Sequence, residues 1–160
     1  MRGTLGALTR THAAQGSIEW IGLRPARKAE MMATNAVTLG EAGLPGDHAK
    51  SGNRAVTLIQ AEHLPVIALL AGLNEVTPHQ LRRNIVVSGI NLIALRNVPL
   101  RLGEALIELT APCPPCSRME TALGLGGYNA MRGHGGWYAK IIRSGEARIG
   151  GVCTPIYQTP

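Results

Sequence analysis

Short runs of alternating polar and apolar residues, interrupted by glycine and proline, limit the folds open to this chain more than any other feature of its sequence. Residues 17–23 show the pattern most clearly, because polar and apolar side chains alternate there as they do in a half-buried strand. Near the end of the chain, residues 138–143 and 147–152 predict a closing hairpin across residues 144–146. Comparable runs predict further strands at residues 31–39, 54–59, 84–89 and 99–110, the last broken at Gly103.

Helices account for little of the chain. Residues 62–71 carry apolar side chains at helical spacing and end before Gly72, a natural helix stop. A shorter helix is predicted at residues 78–82, where Thr77 is the expected N-cap, and residues 117–123 could form one or two helical turns. Many short strands with a few short helices predict a mainly β domain built as a barrel, in which the 20 glycines suit bends and bulges.

Length and composition predict one globular domain that covers residues 1–160. Apolar residues make up 45% and charged residues 16%, which excludes a disordered or fibrous chain. Phenylalanine is absent and aromatic residues make up only 3%, so we expect an aliphatic core. The excess of 16 Lys and Arg over 10 Asp and Glu gives a net charge of +6, which favours an anionic partner.

A small phosphorylated ligand fits this charge better than nucleic acid does. A platform for single-stranded nucleic acid needs aromatic side chains between its basic residues, and this chain has two Trp and three Tyr. No nucleic-acid partner is therefore expected, and the alternative to a phosphorylated ligand is a solvated basic surface. The sequence also lacks an apolar stretch of the roughly 18 residues that cross a bilayer, and it lacks the layout of a signal peptide. We expect no membrane contact and a cytoplasmic location.

The densest chemical signal is the proline-rich loop at residues 111–119, which contains Cys113 and Cys116. With Cys153 the chain has three cysteines, a poor disulfide framework, so we expect thiols. The Cys-x-x-Cys pair could be half of a zinc site, although the scattered histidines offer no matching spacing, or a redox pair of thioredoxin type. It could also give one thiolate to a metal held by a cofactor, with Arg118 favouring ionisation, or be a rigid loop with inert thiols.

Two glycine-containing segments carry further candidate residues. Residues 46–54 form a charged loop with Asp47 and His48, and a loop of this kind either binds a ligand or is a surface turn. Residues 133–137 place His134 among three glycines, which allow the backbone to approach a ligand closely. A plain hairpin turn is the alternative for the second segment.

A basic pair precedes the strand predicted at residues 84–89. Arg82, Arg83 and Asn84 place two guanidinium groups and an amide where that strand begins. Guanidinium groups bind phosphate in a bidentate manner, so the three residues could hold a phosphate. Alternatively, they form a solvated helix end in which the arginines stabilise the helix dipole.

Taken in order, these segments resemble the MOSC domain, the module named from the C-terminal part of molybdenum cofactor sulfurases. The resemblance extends from about residue 18 to residue 152. The matching stretches are Gly-Leu-Pro-Gly-Asp at residues 43–47, the strand entering a helix at residues 56–62, Leu-Arg-Arg-Asn-Ile-Val-Val-Ser-Gly-Ile at residues 81–90, Leu-Gly-Glu-Ala at residues 102–105, and Cys-x-x-Cys-Ser-Arg-Met at residues 113–119.

The resemblance implies a closed, mostly antiparallel β-barrel with a few short helices, and it implies a site. In well-known relatives one Cys thiolate binds the molybdenum of a molybdenum-pterin cofactor, and Cys116 matches that position, with Cys113 as second choice. Arg and Asn at the strand mouth hold the pterin phosphate in relatives, which indicates Arg82 and Asn84. Arg83 matches a position that is not a consistent ligand.

The remaining candidates complete this expected site. Arg118, Asp47 and His48 are the further candidate cofactor-binding residues. His134 is the candidate catalytic proton donor, and His48 could also serve. The implied partners are therefore the molybdenum cofactor and a protein that donates electrons or sulfur.

Three functions remain open from the sequence. The first is an oxidoreductase that reduces N-hydroxylated compounds at a Cys-bound molybdenum-pterin centre. The second is a sulfur carrier that holds a persulfide on Cys116 and delivers it to metal-sulfur centres. The third is a binding barrel without catalytic activity. The phosphate-holding residues are needed for the first function and not for the second.

Overall fold

The computed structural model describes residues 4–158. In this range the chain forms ten strands: β1 Gly16–Leu23, β2 Met32–Thr34, β3 Ala36–Leu39, β4 Val56–Gln60, β5 Ile85–Ser88, β6 Pro99–Leu102, β7 Ala105–Pro112, β8 Trp137–Arg143, β9 Gly145–Arg148 and β10 Val152–Pro155. The helices are α1 Thr4–Thr9, α2 His63–Ala71, α3 Pro78–Leu81, α4 Ser117–Leu123 and α5 Gly127–Met131, with a 3-10 turn at Leu92–Leu95.

Seven of the strands close into a barrel. Their order around it is β10-β6-β7-β8-β4-β5-β1, and β1 pairs again with β10 to complete the circle. All these pairs are antiparallel except β4 with β5, which are joined by a crossover that contains α2 and α3. Strand β2 pairs with the edge of β1, and β3 forms a separate ribbon with β9. The prediction of a mainly β, closed, mostly antiparallel barrel is confirmed.

Aliphatic side chains fill two cores. The first lies inside the barrel, where residues such as Ile18, Leu58 and Ile107 are fully buried. The second lies between the outer face of the barrel and the helices, where Ile59 packs with residues such as Met119. Strand β4 is buried along its whole length because the barrel interior covers one face and the helices cover the other.

Local signals located the helices α2, α3 and α4, whereas α1 and α5 were not predicted. Helix α2 ends at Gly72, which has a φ of 70°. Helix α3 begins with a capping box, in which Thr77 Oγ1 accepts from Gln80 N at 3.4 Å and Gln80 Oε1 accepts from Thr77 N at 2.9 Å. No helix among residues 4–158 combines the length and apolar character needed to cross a membrane.

The predicted closing hairpin is wrong. Strand β8 uses both of its edges, since it pairs with β7 on one side and β4 on the other. Only Ser144 separates β8 from β9, which is too short a link for a two-residue hairpin turn. Strand β9 instead pairs with β3, and β10 leaves to close the barrel. The predicted strand at residues 31–39 is likewise two strands, β2 and β3, which join different sheets.

Candidate functional site

Arg82 ties two parts of the chain together at the end of α3. It has a φ of 57°, the left-handed conformation that ends the helix, and its side chain turns toward residues 26–29. The guanidinium group donates hydrogen bonds to the carbonyl oxygens of Ala26 at 3.1 Å and Arg27 at 3.3 Å, and to that of Ala29. Arg118, in α4, donates to the same Arg27 oxygen at 3.4 Å. The four contacts bring two predicted site residues, Arg82 and Arg118, to one surface.

This surface is a depression of about 460 Å³, which we call the cationic cleft. Its lining consists of Arg27, Lys28, Arg82, Arg118, Thr121 and Ala122. Across residues 4–158 the ion pairs are Arg24 with Asp47, Lys140 with Glu108 and Arg148 with Glu146, so no cation of the cleft is paired with a carboxylate.

The positive charges of the cleft act on one another. Burial lowers the pKa of Arg82, and the neighbouring charges of Arg24 and Arg118 lower it further, against the opposing effect of Asp47. An arginine nevertheless stays protonated in a protein at neutral pH. A cluster of cations without acidic partners attracts anions, and guanidinium groups form bidentate hydrogen bonds with carboxylate and phosphate groups.

The side chains of Asp47 and Asn84 are buried and hold Arg24 in place. The Asp47 carboxylate accepts hydrogen bonds from the Arg24 side chain at 3.0 and 3.2 Å, from the Arg24 and Ala49 amides, and from Asn84 Nδ2 at 2.9 Å. Burial opposes ionisation of Asp47, but these hydrogen bonds outweigh it and lower the pKa of the carboxyl group. The Asp47 side chain has no exposed surface, and its negative charge is paired with the positive charge of Arg24.

Asn84 is engaged in the same way. Its Oδ1 accepts from the amide and the hydroxyl of Thr57, both at 3.1 Å, and its Nδ2 donates to Gly22 O and to Asp47. The residue has no exposed surface. Direct contact of Asp47 or Asn84 with a phosphate therefore stays a prediction, whereas the structure gives both residues a role in positioning Arg24.

The two cysteines of the proline-rich loop occupy different environments. Cys116 is exposed and immediately precedes α4, on which Arg118 is the second residue. Cys113 is buried, its amide donates to Gly136 O at 2.8 Å, and burial raises the pKa of its thiol despite the charges of Arg83, Arg24 and Arg54. Cys153 is fully buried in β10. All three are free thiols.

Cys113 faces a second concavity of about 290 Å³, which we call the histidine pocket. Its lining consists of Gln60, His63, Asn91, Leu92, Ile93, Pro112, Cys113, Gly133, His134, Gly135, Gly136 and Trp137. The His63 and His134 rings meet edge to face with their centroids 5.2 Å apart. His134 Nδ1 is buried and has no hydrogen-bond partner in the part of the chain described. His134 and Cys113 thus lie together, while the predicted ligand Cys116 is absent from this lining.

Two candidate arrangements gain no support from the geometry. The side chain of His48 is exposed and lines neither the cationic cleft nor the histidine pocket. Between residues 4 and 158, no group of three or more His, Cys, Asp or Glu side chains is placed to hold a metal ion, so the zinc alternative lacks a ligand set.

Sequence reasoning missed four residues that contribute to these sites. Arg27 and Lys28 were visible as an adjacent basic pair, but their approach to Arg82 depends on tertiary contacts. Arg24, which bridges Asp47 and Asn84, had no local signal. His63 lies in a correctly predicted helix, and nothing in that helix indicates that it meets a histidine 71 positions later.

Comparisons with known proteins agree with this fold. The YuaD protein from Bacillus subtilis superimposes with a TM-score of 0.77 at 17% identity, over 91% of this chain and 98% of that one. YiiM from Escherichia coli superimposes with a TM-score of 0.69 at 20% identity, over 89% of this chain and 71% of that one. YiiM from Geobacillus stearothermophilus superimposes with a TM-score of 0.70 at 17% identity, over 89% of this chain and 75% of that one. At sequence identities of 17–20%, these superpositions show that the proteins share a fold with this chain.

The sequence itself carries the family assignment. The curated proteins contain no match to this chain. Residues 45–154, which include the cationic cleft residues Arg82 and Arg118 and both cysteines of the proline-rich loop, match the MOSC domain. This match covers more than half of the sequence, and we conclude that the chain belongs to the MOSC domain family.

Proposed function

We propose that this MOSC domain binds a molybdenum-pterin cofactor and reduces N-hydroxylated compounds. The observation that carries the proposal is the cationic cleft, whose four charged side chains have no acidic partner within the described chain and whose Arg118 lies two residues after the exposed thiol of Cys116. A phosphate-bearing, sulfur-ligated cofactor requires these two features together. Family membership supports the proposal, since the family is associated with this cofactor in general.

The donor set fits such a cofactor. Arg82 is held in place by three carbonyl oxygens, so it presents its charge without further ordering. Arg27, Lys28 and Arg118 are exposed, and Arg118 also donates a hydrogen bond to Arg27 O. Thiolate is a soft ligand that suits molybdenum, and Cys116 is exposed enough to provide it. Arg24 is paired with Asp47, so the charges of the two residues act on Arg82 in opposite directions.

Each part of the chain has a task in this function. When bound, the cofactor supplies two-electron oxygen-transfer chemistry. Arg82, Arg118, Arg27 and Lys28 hold its phosphate, and the Cys116 sulfur binds the metal. In the overall reaction two electrons and two protons break the N–O bond of the N-hydroxyl group: one proton goes to the nitrogen and the other converts the leaving hydroxyl to water. His134 is the proposed proton donor, and the electrons come from a separate electron-transfer protein in the cytoplasm.

The first test is the molybdenum-to-protein ratio, measured by elemental analysis of protein made in a cofactor-competent host supplied with molybdate. We expect a nearly equimolar ratio in the wild type, loss of the metal in Cys116→Ala, and retention in Cys113→Ala, the matched control. Loss in Cys113→Ala with retention in Cys116→Ala would contradict the assignment of Cys116. A wild type without molybdenum would reject the cofactor proposal.

The same assay tests the phosphate site through Lys28 and Arg118, since Arg82 also holds the loop at residues 26–29. Lys28→Gln combined with Arg118→Gln removes two unpaired charges from exposed positions, and we expect retained molybdenum to fall at least about tenfold, in line with two lost charge-assisted contacts. Arg101→Gln, an exposed arginine on β6, is the control and should retain the metal. Equal retention in both proteins would contradict a phosphate site in the cleft.

A sulfur carrier is the second candidate, and the exposure of Cys116 favours it. A persulfide on Cys116 needs an accessible thiolate but no phosphate site. Mass spectrometry after incubation with a cysteine desulfurase and cysteine would show an added sulfur atom on Cys116. A persulfide that forms equally in the wild type and in the Lys28→Gln, Arg118→Gln double variant, in a protein that never holds molybdenum, would favour this function.

A further inference from the structure

Arg83 follows Arg82 directly but takes no part in the lining of the cationic cleft. Its guanidinium group donates through Nε to Gly135 O at 2.7 Å and through Nη1 to Leu81 O at 2.8 Å. No carboxylate pairs with Arg83 in residues 4–158, so the two carbonyl oxygens are the partners of a half-buried charge. Arg83 therefore links the end of α3 to the segment that enters β8.

The segment that Arg83 holds also holds the start of the proline-rich loop. Gly135 is buried, and a Cβ atom there would lie 3.0 Å from Cys113 O and 3.5 Å from Arg83 Nη2. The next residue, Gly136, accepts a hydrogen bond from the Cys113 amide at 2.8 Å. The guanidinium group, the two glycines and the Cys113 backbone therefore pack directly against one another.

The backbone of Cys113 determines where Cys116 lies. Two prolines separate the cysteines, and because proline fixes φ, little conformational freedom remains between them. On the far side, Cys116 O accepts a hydrogen bond from Met119 N at 2.9 Å in the first turn of α4. The exposed Cys116 thiol thus lies between two backbone anchors, and the first of them depends on Gly136.

From these contacts we infer that Arg83 is a positioning residue, which holds Gly135 and Gly136 in place and thereby fixes the loop that presents Cys116. The consequence for metal binding rests on the proposed function, in which Cys116 is the ligand. The anchoring itself involves no cofactor. It requires both arms of the guanidinium fork, because one carbonyl oxygen belongs to α3 and the other precedes β8.

Hydrogen exchange at the cysteine amides measures the anchor directly in the full-length protein as purified. Cysteine labelled with a heavy nitrogen isotope gives one amide NMR signal for each of the three cysteines. The Cys113 signal reports the hydrogen bond to Gly136, and the Cys153 signal, from the β10 ladder, reports global unfolding. We expect Arg83→Ala to accelerate Cys113 exchange about tenfold relative to Cys153 exchange, the value of one good hydrogen bond.

Arg54→Ala is the matched control. Burial raises the pKa of the Cys113 thiol, and the charges of Arg83 and Arg54 both act to lower it. Arg54, however, lies over the Tyr138 ring, 4.8 Å from its centroid, and is exposed. Arg54→Ala therefore removes a charge near Cys113 without removing a hydrogen bond to Gly135, and it should leave Cys113 exchange unchanged.

Two milder variants keep the test decisive if Arg83→Ala folds poorly. Arg83→Lys keeps the charge, but its single ammonium nitrogen lacks the fork that spans the Gly135 and Leu81 oxygens, so Cys113 exchange should still rise severalfold. Gly135→Ala keeps Arg83 and displaces Cys113 O, so it should have the same effect. Wild-type exchange in either variant would overturn the inference.

The outcomes separate this inference from the proposed function. Equal acceleration of Cys113 and Cys153 in Arg83→Ala would reduce Arg83 to a general stabilising residue and overturn the inference, even if the wild type retains molybdenum. Where the wild type does retain the metal, retention should fall severalfold in Arg83→Ala and stay unchanged in Arg54→Ala, and equal retention would also overturn it. Selective acceleration of Cys113 in a protein that never holds molybdenum would support the anchor and reject the proposed function.

Discussion

At the scale of single residues, adjacent side chains in this protein reach different environments. Arg82 and Arg83 follow one another, yet one holds the loop at residues 26–29 and the other holds Gly135. Asp47 and His48 show the same contrast, because the first is buried in an ion pair and the second is exposed. Burial therefore divides the candidate residues into buried groups, such as Asp47 and Asn84, and exposed groups, such as His48.

The buried pair of Asp47 and Arg24 predicts a large effect of a small change. Asp47→Asn leaves the Arg24 charge, which is only 14% exposed, without its carboxylate, and we expect a loss of about 3 kcal/mol in the free energy of unfolding. Urea denaturation measures it. Glu146→Gln breaks the exposed pair with Arg148 and should cost less than about 1 kcal/mol. Similar losses in the two variants would show that the Asp47 pair is not a buried ion pair.

At the scale of elements, the entry into β8 depends on a close backbone approach. Gly136 has a φ of 88°, and a Cβ atom there would lie 2.2 Å from Leu58 O, on the neighbouring strand β4. The same glycine accepts a hydrogen bond from Cys113 through its carbonyl oxygen. Gly136 is therefore needed to bring the pocket wall against the barrel, whereas a Cβ atom on Gly133 would meet open space.

Gly136 and Gly150 have nearly the same positive φ but different surroundings, so substituting each distinguishes the cost of backbone strain from the cost of a steric clash. Gly150 has a φ of 86° and open space around it, so Gly150→Ala should cost only the left-handed penalty of about 1–2 kcal/mol. Gly136→Ala adds the clash with backbone, and we expect it to destabilise the protein by a further amount of about 2 kcal/mol. Thermal unfolding of both variants tests this, and equal melting temperatures would argue against the close approach of β8 to β4.

At the scale of the whole molecule, the barrel closes through a short strand from the end of the chain. Strand β10 pairs with β6 and with β1, so it joins the first strand of the barrel to a later hairpin. Cys153, on β10, pairs with Gly16 on one side and Leu102 on the other and has no exposed surface. Burial raises the pKa of its thiol to about 12. The reactivity of the Cys153 thiol therefore shows whether β10 separates from β1 and β6.

Alkylation of the three thiols should follow their burial. We expect Cys116 to react with iodoacetamide first, Cys113 more slowly, and Cys153 only when the barrel unfolds, because the reactive species is an accessible thiolate. Mass spectrometry at increasing urea concentration measures each rate, and the Cys153 rate should rise as steeply as global unfolding predicts. A Cys153 rate as insensitive to urea as that of Cys116 would mean that β10 detaches alone.

The sequence by itself determined the class of the domain, most of its elements and its family. Alternation, caps and glycine stops act within a few residues, so β1 and α2 were predicted within about one or two residues of their observed ends, and Thr77 was predicted as the N-cap of α3. The motifs also indicated Arg82, Arg118, Cys116 and His134, although their roles in binding and catalysis stay predictions.

Only the tertiary structure decided which residues share a site. The pairing of β9 with β3 and of β10 with β1 depends on contacts between distant segments, for which local patterns carry no information. The same holds for Arg27 and Lys28 beside Arg82, and for His63 beside His134. Packing also divided the two cysteines of one motif, burying Cys113 in the histidine pocket and leaving Cys116 exposed, because the proline-rich loop crosses from the barrel surface to the start of α4.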